Sequence, residues 1–392
     1  MIEIIDEKKC CGCRACIDVC PKKCIITRVG TLGHIFPQVD STKCINCNLC
    51  ESVCPFIKES GNESLKSSYI AFNKGQDIRA ISSSGGLFYS FASRYFDLGY
   101  TIYGACFDED LTLKTKGINR IEELQPLCKS KYLQSDTTGI YQEIKKTLDD
   151  GKGVLFCGTP CQVAALKLFV KKDYENLVLI DFFCHGVPSQ IYFDKCKELV
   201  ENKNGIKIVG YQFRTKIKKG VTPHYFTINY LKDNKEKTKT DFYYKSPNYA
   251  AFQRYINLRE SCYNCKFAKE DRNSDITIGD FHDIELFRKD INRFDGVSLV
   301  IVNTKKGLSV LNDIKPDLFI NEIDYKTLQE NNVISYGGTT RPKDRDSFIN
   351  DYENLSFEEL NKKWFNKKKY FKQSIYYHMP RFLRKIAKRI SD

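Results

Sequence analysis

The feature that most constrains this chain is a cysteine spacing that occurs twice near its beginning. The two stretches are CCGCRACIDVCP, which starts at Cys10, and CINCNLCESVCP, which starts at Cys44. Each follows C-x2-C-x2-C-x3-C-P, in which three thiolates of a tight loop bind one 4Fe-4S cluster and the fourth reaches another. The spacing predicts a first cluster on Cys10, Cys13, Cys16 and Cys54, and a second cluster on Cys44, Cys47, Cys50 and Cys20.

A pair of zinc knuckles is the alternative for these two runs. Zinc prefers ligand sets of two plus two, so the third and fourth cysteines of each run would have no use in it. Clusters are therefore the favoured interpretation. Cys11 and Cys24 fall outside the pattern, and we expect both to be packed or half-exposed free thiols. The module ends near Lys58, and the polar residues 59–68 are typical of a linker.

Cysteine usage and hydropathy indicate a cytoplasmic chain. Ten of the 18 cysteines lie between Cys10 and Cys54, a density that favours metal or cluster binding over disulfides. The beginning of the sequence has no apolar signal segment. Its longest apolar runs are far shorter than the roughly 20 residues of a membrane-spanning helix. A chain of 392 residues is long enough for two or three domains.

The net charge of +13 is concentrated at one end. Residues 361–392 contribute +10 of it, so the rest of the chain is nearly neutral and offers no general nucleic-acid surface. The last stretch, HMPRFLRKIAKRI, predicts a short basic amphipathic helix. We expect this helix to be solvated and to pack on the body or a partner. Peripheral contact with an anionic inner membrane face is the alternative.

From residue 69 onward, short apolar runs alternate with amphipathic stretches. The runs TIYGACF, GVLFC, LVLIDFFC, DITIGDF and VSLVIVN are expected strands, and helical patterns follow several of them. This alternation predicts an α/β domain with parallel strands. Residues 213–230 and the region from Tyr249 look less regular.

A second cysteine constellation lies at the expected carboxyl ends of these strands, where α/β sheets bind their ligands. Cys161 follows GVLFC within a helix start capped by Thr159 and Gln162, and Cys184 ends LVLIDFFC. Cys262 and Cys265 complete a possible set of four thiolates. This spacing fits a third cluster or a structural zinc ion, and the cysteine runs on the same chain favour the cluster. Cys157 is expected to be a packed thiol, with a Cys157–Cys161 disulfide as the minor alternative.

The small residues Ser82, Ser83, Ser84, Gly85 and Gly86 precede a helix. Such a loop can place backbone N–H groups near a phosphate, although a simple helix cap is the commoner case. Lys131, in the stretch CKSKYLQS, is either a phosphate partner or a surface lysine, and composition favours the surface.

Together, the passages SSSGG, SKYLQS, CGTPCQVAAL, FFCHGVPS and SCYNCKF with RNSDITIGDF resemble the coenzyme F420 hydrogenase/dehydrogenase beta-subunit family. The resemblance implies a flavin-binding α/β domain with a 4Fe-4S cluster on Cys161, Cys184, Cys262 and Cys265. It also implies FAD contacts from Ser82–Gly86 and from Ser130, Lys131 and Tyr132. One departure is GDFHD, where members often have GDFWG, so His282 and Asp283 put the substrate side in doubt.

These interpretations predict an iron–sulfur flavoprotein oxidoreductase. Its electron carrier would be ferredoxin or the deazaflavin coenzyme F420. The sequence does not determine its substrate. The resemblance also allows a role as a reductase in envelope-polysaccharide synthesis. A non-catalytic electron-transfer subunit with a catalytic partner is the alternative function. The expected domains are 1–58 (ferredoxin type), 59–68 (linker), 69–340 (flavin and cluster domain) and 341–392 (basic, partly helical tail).

Overall fold

The structure is a computed structural model that describes residues 2–3, 6–59, 61, 65–217, 224–334 and 336–365. Its first unit contains α1 (Ala15–Asp18), β1 (Ile25–Val29), β2 (Ile35–Val39) and α2 (Leu49–Ser52). The two strands form an antiparallel hairpin. The two short helices begin after residues in the left-handed region, Arg14 with φ 60° and Asn48 with φ 58°. The repeated cysteine spacing thus produces a repeated backbone turn.

The remaining strands form one large sheet and one small one. The strands are β3 (Ser67–Asn73), β4 (Thr101–Phe107), β5 (Leu113–Ile118), β6 (Val154–Cys157), β7 (Leu177–Phe182), β8 (Lys207–Thr215), β9 (Tyr225–Lys232), β10 (Lys235–Phe242), β11 (Ile276–Asp280), β12 (Ser298–Val302) and β13 (Leu318–Ile323). The large sheet has the order β13-β3-β12-β11-β7-β6-β4-β5. Its central strands β4, β6, β7 and β11 are parallel, and the outer pairings are antiparallel.

Helices follow most of these strands. They are α3 (Gln76–Ala80), α4 (Leu87–Asp97), α5 (Leu124–Leu127), α6 (Ile140–Asp149), α7 (Pro160–Val170), α8 (Gln190–Asn204), α9 (Pro247–Gln253), α10 (Lys305–Ile314), α11 (Tyr325–Glu330), α12 (Arg345–Asn354) and α13 (Phe357–Trp364). All five residues of β12 are buried, as expected for a strand covered on both faces. None of the helices in the described part of the chain has the length and apolar character needed to cross a membrane.

The predicted mixture of a cysteine-rich module and an α/β domain is confirmed, with one difference in the sheet. Only its central strands are parallel, because β3, β5, β12 and β13 join it through antiparallel pairings. Residues 213–230, which looked irregular, include the end of β8 and most of β9, two strands of a separate antiparallel sheet that β10 completes. Its pattern is hard to recognise because the residues of β10 from Lys235 to Thr240 are all exposed, so no apolar alternation marks that strand.

Two predicted boundaries do not coincide with breaks in the structure. Ser67 and Ser68, at the end of the expected linker, already belong to β3. Helices α12 and α13 lie beyond residue 340 but pack on the body, where Phe348, Leu360 and Trp364 join a core cluster with Tyr192. Arg345 is fully buried and pairs with Glu260 at 3.0 Å. The basic helix expected near the end of the sequence lies outside the described residues.

Candidate functional site

The first group of cysteines lines one pocket in the N-terminal unit. Its four members are Cys10, Cys13, Cys16 and Cys54, the set predicted for the first cluster. Burial raises the pKa of Cys16 and of Cys54, the latter to about 11, and neighbouring thiols raise both further. Gly12, with φ 68°, points its N–H at Cys10 Sγ at 3.4 Å. The positive φ that glycine adopts easily supplies this N–H···S contact.

The second group lines another pocket of the same unit. Its members are Cys20, Cys44, Cys47 and Cys50, the set predicted for the second cluster, and Cys24 joins them. The Ile2 N–H lies 3.3 Å from Cys50 Sγ. The last cysteine of each run therefore lies in the other run's cavity, as the spacing requires. The structure brings both sets together, and their role as cluster ligands stays a prediction.

The first run is held against the larger domain through its backbone carbonyls. Cys10 O accepts hydrogen bonds from Ser261 Oγ at 2.9 Å and from Arg259 Nη1 at 3.4 Å. Gln134 Nε2 donates to Cys11 O at 2.7 Å. Thr137 Oγ1 donates to Cys13 O, also at 2.7 Å. Arg259 and Thr137 are both buried, so these bonds form inside the protein.

A third group of cysteines lies at the carboxyl ends of β6 and β7. Cys161 lies in the first turn of α7, Cys184 follows β7, and Cys262 and Cys265 come from the segment after α9. Burial raises the pKa of Cys184, and the neighbouring thiols of Cys262, Cys161 and Cys265 raise it further. The four predicted residues therefore lie together. Across the described ranges, no three or more His, Cys, Asp or Glu side chains are grouped so as to hold a single metal ion.

Two local features orient this third group. The predicted capping box at the start of α7 is confirmed, with Thr159 and Gln162 as its members. Gly186, with φ 111°, directs its N–H at Cys184 Sγ at 3.4 Å. A Cβ on Gly186 would come within 3.0 Å of Cys262 Cβ. The Cys184–Gly186 contact repeats the one between Cys10 and Gly12.

Cys11 connects the first and third groups. It is 8% exposed and lies in the same core cluster as Cys13, against which Cys161 packs. The hydrogen bond with Cys11, together with one from Thr159, lowers the pKa of Cys161 to about 7 against the effect of burial. The sequence indicated that Cys11 is a packed thiol, and only its proximity to Cys161 was missed. The adjacent cysteines of the CC pair were the available signal.

Cys157 lies in a different environment from Cys161. Its charged neighbours are Asp181 and Lys131, with Cys128 nearby, and burial raises its pKa to about 12. This environment agrees with the expected packed thiol.

The Ser82–Gly86 loop lies at the same edge of the sheet, and its polar groups bond mainly to the protein itself. Ser83 Oγ accepts from Ser130 N at 2.7 Å, which joins the two segments expected to contact a flavin. Ser84 Oγ donates to Val297 O at 2.8 Å, and Gly85 N donates to Ser298 Oγ at 3.0 Å. Helix α4 then begins at Leu87, and the residue before it, Gly86, provides no side-chain hydrogen bond to cap the helix.

Lys131 is neither a simple surface lysine nor a free phosphate partner. Its ammonium group donates to the carbonyls of Pro126, Leu127 and Cys128 at 2.7–2.9 Å. Burial lowers its pKa to about 8. It thus caps the end of α5. Tyr132, the next residue, stacks on Phe252 at 4.1 Å between ring centroids.

A group of cations that the sequence did not single out surrounds the loop. Lys216 Nζ donates to Arg79 O at 2.6 Å and to Ser84 O at 3.0 Å. Burial and the charges of Arg214, Arg79 and Lys129 lower the pKa of Lys216 to about 8. Arg214 pairs with Asp280, the last residue of β11. We call Arg79, Lys129, Arg214 and Lys216 the edge cations. The Nε of Arg79 is buried with no hydrogen-bond partner.

The two histidines considered from the sequence are both exposed. The His282 side chain is 67% exposed and lies 3.6 Å from Asp280. The sequence analysis favoured this solvent-facing position for His282 over a role as proton donor. His185 is exposed beside Cys184, and its ring is 6.1 Å from that of Tyr255.

Comparisons with known proteins match two parts of the chain to family models. Residues 36–58 match the model of a 4Fe-4S binding domain, which includes the second cysteine run. Residues 151–327 match the model described as the C terminus of the coenzyme F420 hydrogenase/dehydrogenase beta subunit. No curated protein matches the chain. A chain of the xenon-derivatized F420-reducing [NiFe] hydrogenase complex from Methanosarcina barkeri aligns with TM-score 0.44 and 15% identity, covering 71% of this chain and 91% of that one.

The cysteine-rich unit and the mixed sheet define an iron–sulfur protein with a large α/β domain. More particularly, residues 151–327 are similar to the C terminus of the coenzyme F420 hydrogenase/dehydrogenase beta subunit, whose family model they match. The resemblance predicted from the sequence motifs is thereby confirmed, and the chain is related to an oxidoreductase subunit that handles electrons.

Proposed function

We propose that this chain is an iron–sulfur flavoprotein oxidoreductase with three 4Fe-4S clusters and one FAD. The observation that supports it best is the packing contact between the two units: Cys11 and Cys13 of the first run lie in one core cluster, and Cys161 and Cys265 of the third group pack against it. Because of this contact, the cysteine-rich unit and the family domain place their thiols side by side. When bound, the clusters would exchange single electrons and the flavin one or two.

The chain's own residues would hold the clusters in three ways. The cysteines supply twelve thiolates in three groups. Gly12 and Gly186 donate N–H···S hydrogen bonds to Cys10 and Cys184. Thr159 Oγ1 lies 3.1 Å from Cys161 Sγ. Such hydrogen bonds stabilise the thiolate and thereby tune the potential of a bound cluster.

The residues at the sheet edge fit the anionic part of a flavin nucleotide. The four edge cations lie around the Ser82–Gly86 loop, with Asp280 as the carboxylate paired to Arg214. The unpartnered Nε of Arg79 is a buried donor at this place. We therefore assign phosphate contacts to Lys216 and Arg79 rather than to Lys131, whose ammonium group is bound to three carbonyls. Tyr132 and Ser84 would contact the remainder.

The carrier and the partners are proposed from the family. Ferredoxin and coenzyme F420 are the two candidate carriers, and the family's description as a beta subunit supports a partner subunit. A non-catalytic electron-transfer subunit is the second candidate function, favoured by the same description. Turnover of an artificial donor and a substrate by the anaerobically purified chain alone would distinguish the two, because a non-catalytic subunit would be inactive without its partner.

Cofactor content tests the proposal directly. The anaerobically purified chain should contain about twelve irons, as many sulfides and one FAD. About eight irons and no flavin would contradict the assignment of the larger domain. Zinc without acid-labile sulfide would contradict both redox functions.

A matched pair of variants tests the third group. Cys161→Ala should remove about four irons, because one thiolate of a four-thiolate cluster is lost. Cys157→Ala, four residues away and among other neighbours, should keep the full iron content. Equal iron loss in both variants would contradict the assignment.

The flavin site is tested by Lys216→Met and by pH. The pKa of Lys216 is lowered to about 8, so its ammonium is charged below that pH and neutral above it. Flavin retention should therefore fall as pH rises through about 8, and Lys216→Met should lower retention and flatten this dependence. Lys232→Met, at the exposed end of β9, is the control and should retain flavin. Unchanged flavin content in Lys216→Met would contradict the phosphate assignment.

A further inference from the structure

The pocket of the second cysteine run opens to the surface of the protein. Cys47, one of its predicted cluster ligands, is exposed, and Ile45 is 57% exposed. Both residues line the pocket. A single exposed isoleucine is ordinary on a protein surface, but this one lies at the rim of a predicted redox centre.

Lysines surround this opening. Lys22 is the charged residue among the described residues that line the pocket, and Lys23 and Lys43 are exposed in the same two turns of the chain. The two turns lie side by side, because the Asp40 N–H donates to Cys24 O at 2.8 Å. We call this surface the second-run face, and its members are Lys22, Lys23, Lys43, Ile45 and Cys47.

The face has little negative charge to offset its lysines. Asp40 is the one acidic residue in segments 20–24 and 40–48, and Lys43 pairs with it at 3.1 Å. Glu51, the next acidic residue along the chain, is half-buried. The Lys43 side chain is 69% exposed, so its ion pair is weak and leaves the ammonium group accessible to a partner. The second-run face is therefore net positive.

A positive rim around an exposed redox centre matches a partner with a carboxylate-rich rim. Opposite charges steer two proteins into a productive orientation and raise their association rate. Encounters between electron-transfer proteins bury little surface, so three lysines and one isoleucine are a sufficient number of anchors. An anionic membrane would also match the charge, but it would not account for the exposure of a predicted cluster ligand.

We infer that the second-run face is the docking surface of a small acidic protein that carries a one-electron redox group. The inference deepens the proposed function and rests on it, because it requires the second cluster. One electron passes between the carrier and that cluster, so one is oxidised as the other is reduced, and no bond forms or breaks. The three lysines would meet the carrier's carboxylates, and Ile45 would pack at the centre of the contact.

The experiment uses the full chain with reconstituted clusters and a small acidic plant-type 2Fe-2S ferredoxin as the probe. A carbodiimide joins a lysine amine to a carboxylate in contact with it, as an amide and with loss of water. It should link the probe to Lys22, Lys23 or Lys43, as mapped by mass spectrometry. In rapid-mixing absorbance measurements, electron transfer from the reduced probe should be about tenfold slower in about 500 mM salt than in about 20 mM salt.

A matched pair of double variants tests the lysines themselves. Lys22→Glu/Lys43→Glu should slow electron transfer from the probe about tenfold at low salt and weaken its salt dependence, because like charges repel. Lys235→Glu/Lys237→Glu, on the exposed strand β10, changes the net charge equally and should stay within about twofold of the wild-type rate. Iron content, and reduction by the small cation methyl viologen no slower than in the wild type, verify that each variant holds its clusters.

Four results would overturn the inference. The first is a wild-type rate that does not respond to salt. The second is equal slowing in the two double variants, which would show an effect of net charge alone. The third is cross-linking of the probe at other lysines only. The fourth is binding of the chain to phosphatidylglycerol vesicles that depends on Lys22 and Lys43 while the transfer rate does not, which would assign the face to a membrane.

Metal analysis separates failure of this inference from failure of the proposed function. Wild-type protein with about eight irons and no flavin would contradict the proposed function but retain the second cluster, so the docking test would still apply. Zinc without acid-labile sulfide would overturn both. A full complement of clusters with no docking at the second-run face would overturn the inference alone.

Discussion

The two cysteine runs have the same spacing but lie in different surroundings. In the first run, Cys10, Cys13 and Cys16 are buried, and polar side chains of the larger domain bind its carbonyls. In the second run, Cys47 is exposed and Cys44 is partly exposed, and Ile45 between them is 57% exposed. The comparison teaches that one motif can form both an internal and an external thiol cavity, depending on which side of the unit contacts the body.

The internal cavity also has the contact with the third cysteine group, through Cys11. The external cavity, that of the second run, lies next to solvent, because Cys47 and Ile45 are exposed there. This asymmetry makes the second run the side that faces solvent and the first run the side that faces the rest of the chain. Matched changes in the two runs should therefore have unequal effects.

The largest expected difference is in iron loss. A chelator added to the anaerobic, reconstituted protein should remove iron in two phases, with the second-run cluster lost about tenfold faster or more because its cavity opens to solvent. The phases are followed by absorbance of the iron–chelator complex. Cys47→Ala should abolish the fast phase. A fast phase that survives in Cys47→Ala would show that the exposed run is not the labile one.

The next largest effect concerns the arginine that holds the first run. Arg259 is 1% exposed and donates to Ile35 O at 2.8 Å in addition to Cys10 O. Arg259→Met should lower the free energy of unfolding by about 3 kcal/mol, because buried carbonyls lose a charged donor. Anaerobic denaturant unfolding measures it.

Arg28→Met is the matched control for that change. Arg28 lies over the same Phe36 ring, at 4.9 Å compared with 4.5 Å for Arg259, but its side chain is 34% exposed. Its replacement should change the free energy of unfolding by about 0.5 kcal/mol or less. Similar losses in the two variants would remove the distinction between the buried and the exposed face.

A smaller effect is expected where a threonine hydroxyl donates a single hydrogen bond. Thr137→Val keeps the shape of the side chain but leaves Cys13 O without its buried donor, so unfolding should become easier by about 1–2 kcal/mol. Thr42 lies near the second run and donates to Asp40 at 2.6 Å on the surface. Thr42→Val should cost about 0.5 kcal/mol or less. A larger cost at Thr42 than at Thr137 would reverse the comparison.

Several features were predictable because they depend on short stretches of chain. The cysteine spacing is local, and so are the capping box at Thr159 and Gln162 and the strands at residues 101–107 and 154–157. Each is fixed by residues a few positions apart. Lys131 was misjudged because its position in sequence does not show that three carbonyls at the end of α5 converge on its ammonium group.

By itself the sequence determined the groups of thiols, the alternation of strands and helices and the family resemblance of residues 151–327. Only the tertiary structure decided which cavity is internal, that Cys161 packs against the cluster of Cys11 and Cys13, and that Arg79, Arg214 and Lys216 gather around Ser84. The reason is physical: a motif fixes the distances among its own residues. Contacts between segments as distant as Cys11 and Cys161 depend on how the sheet, the loops and the cysteine-rich unit pack together.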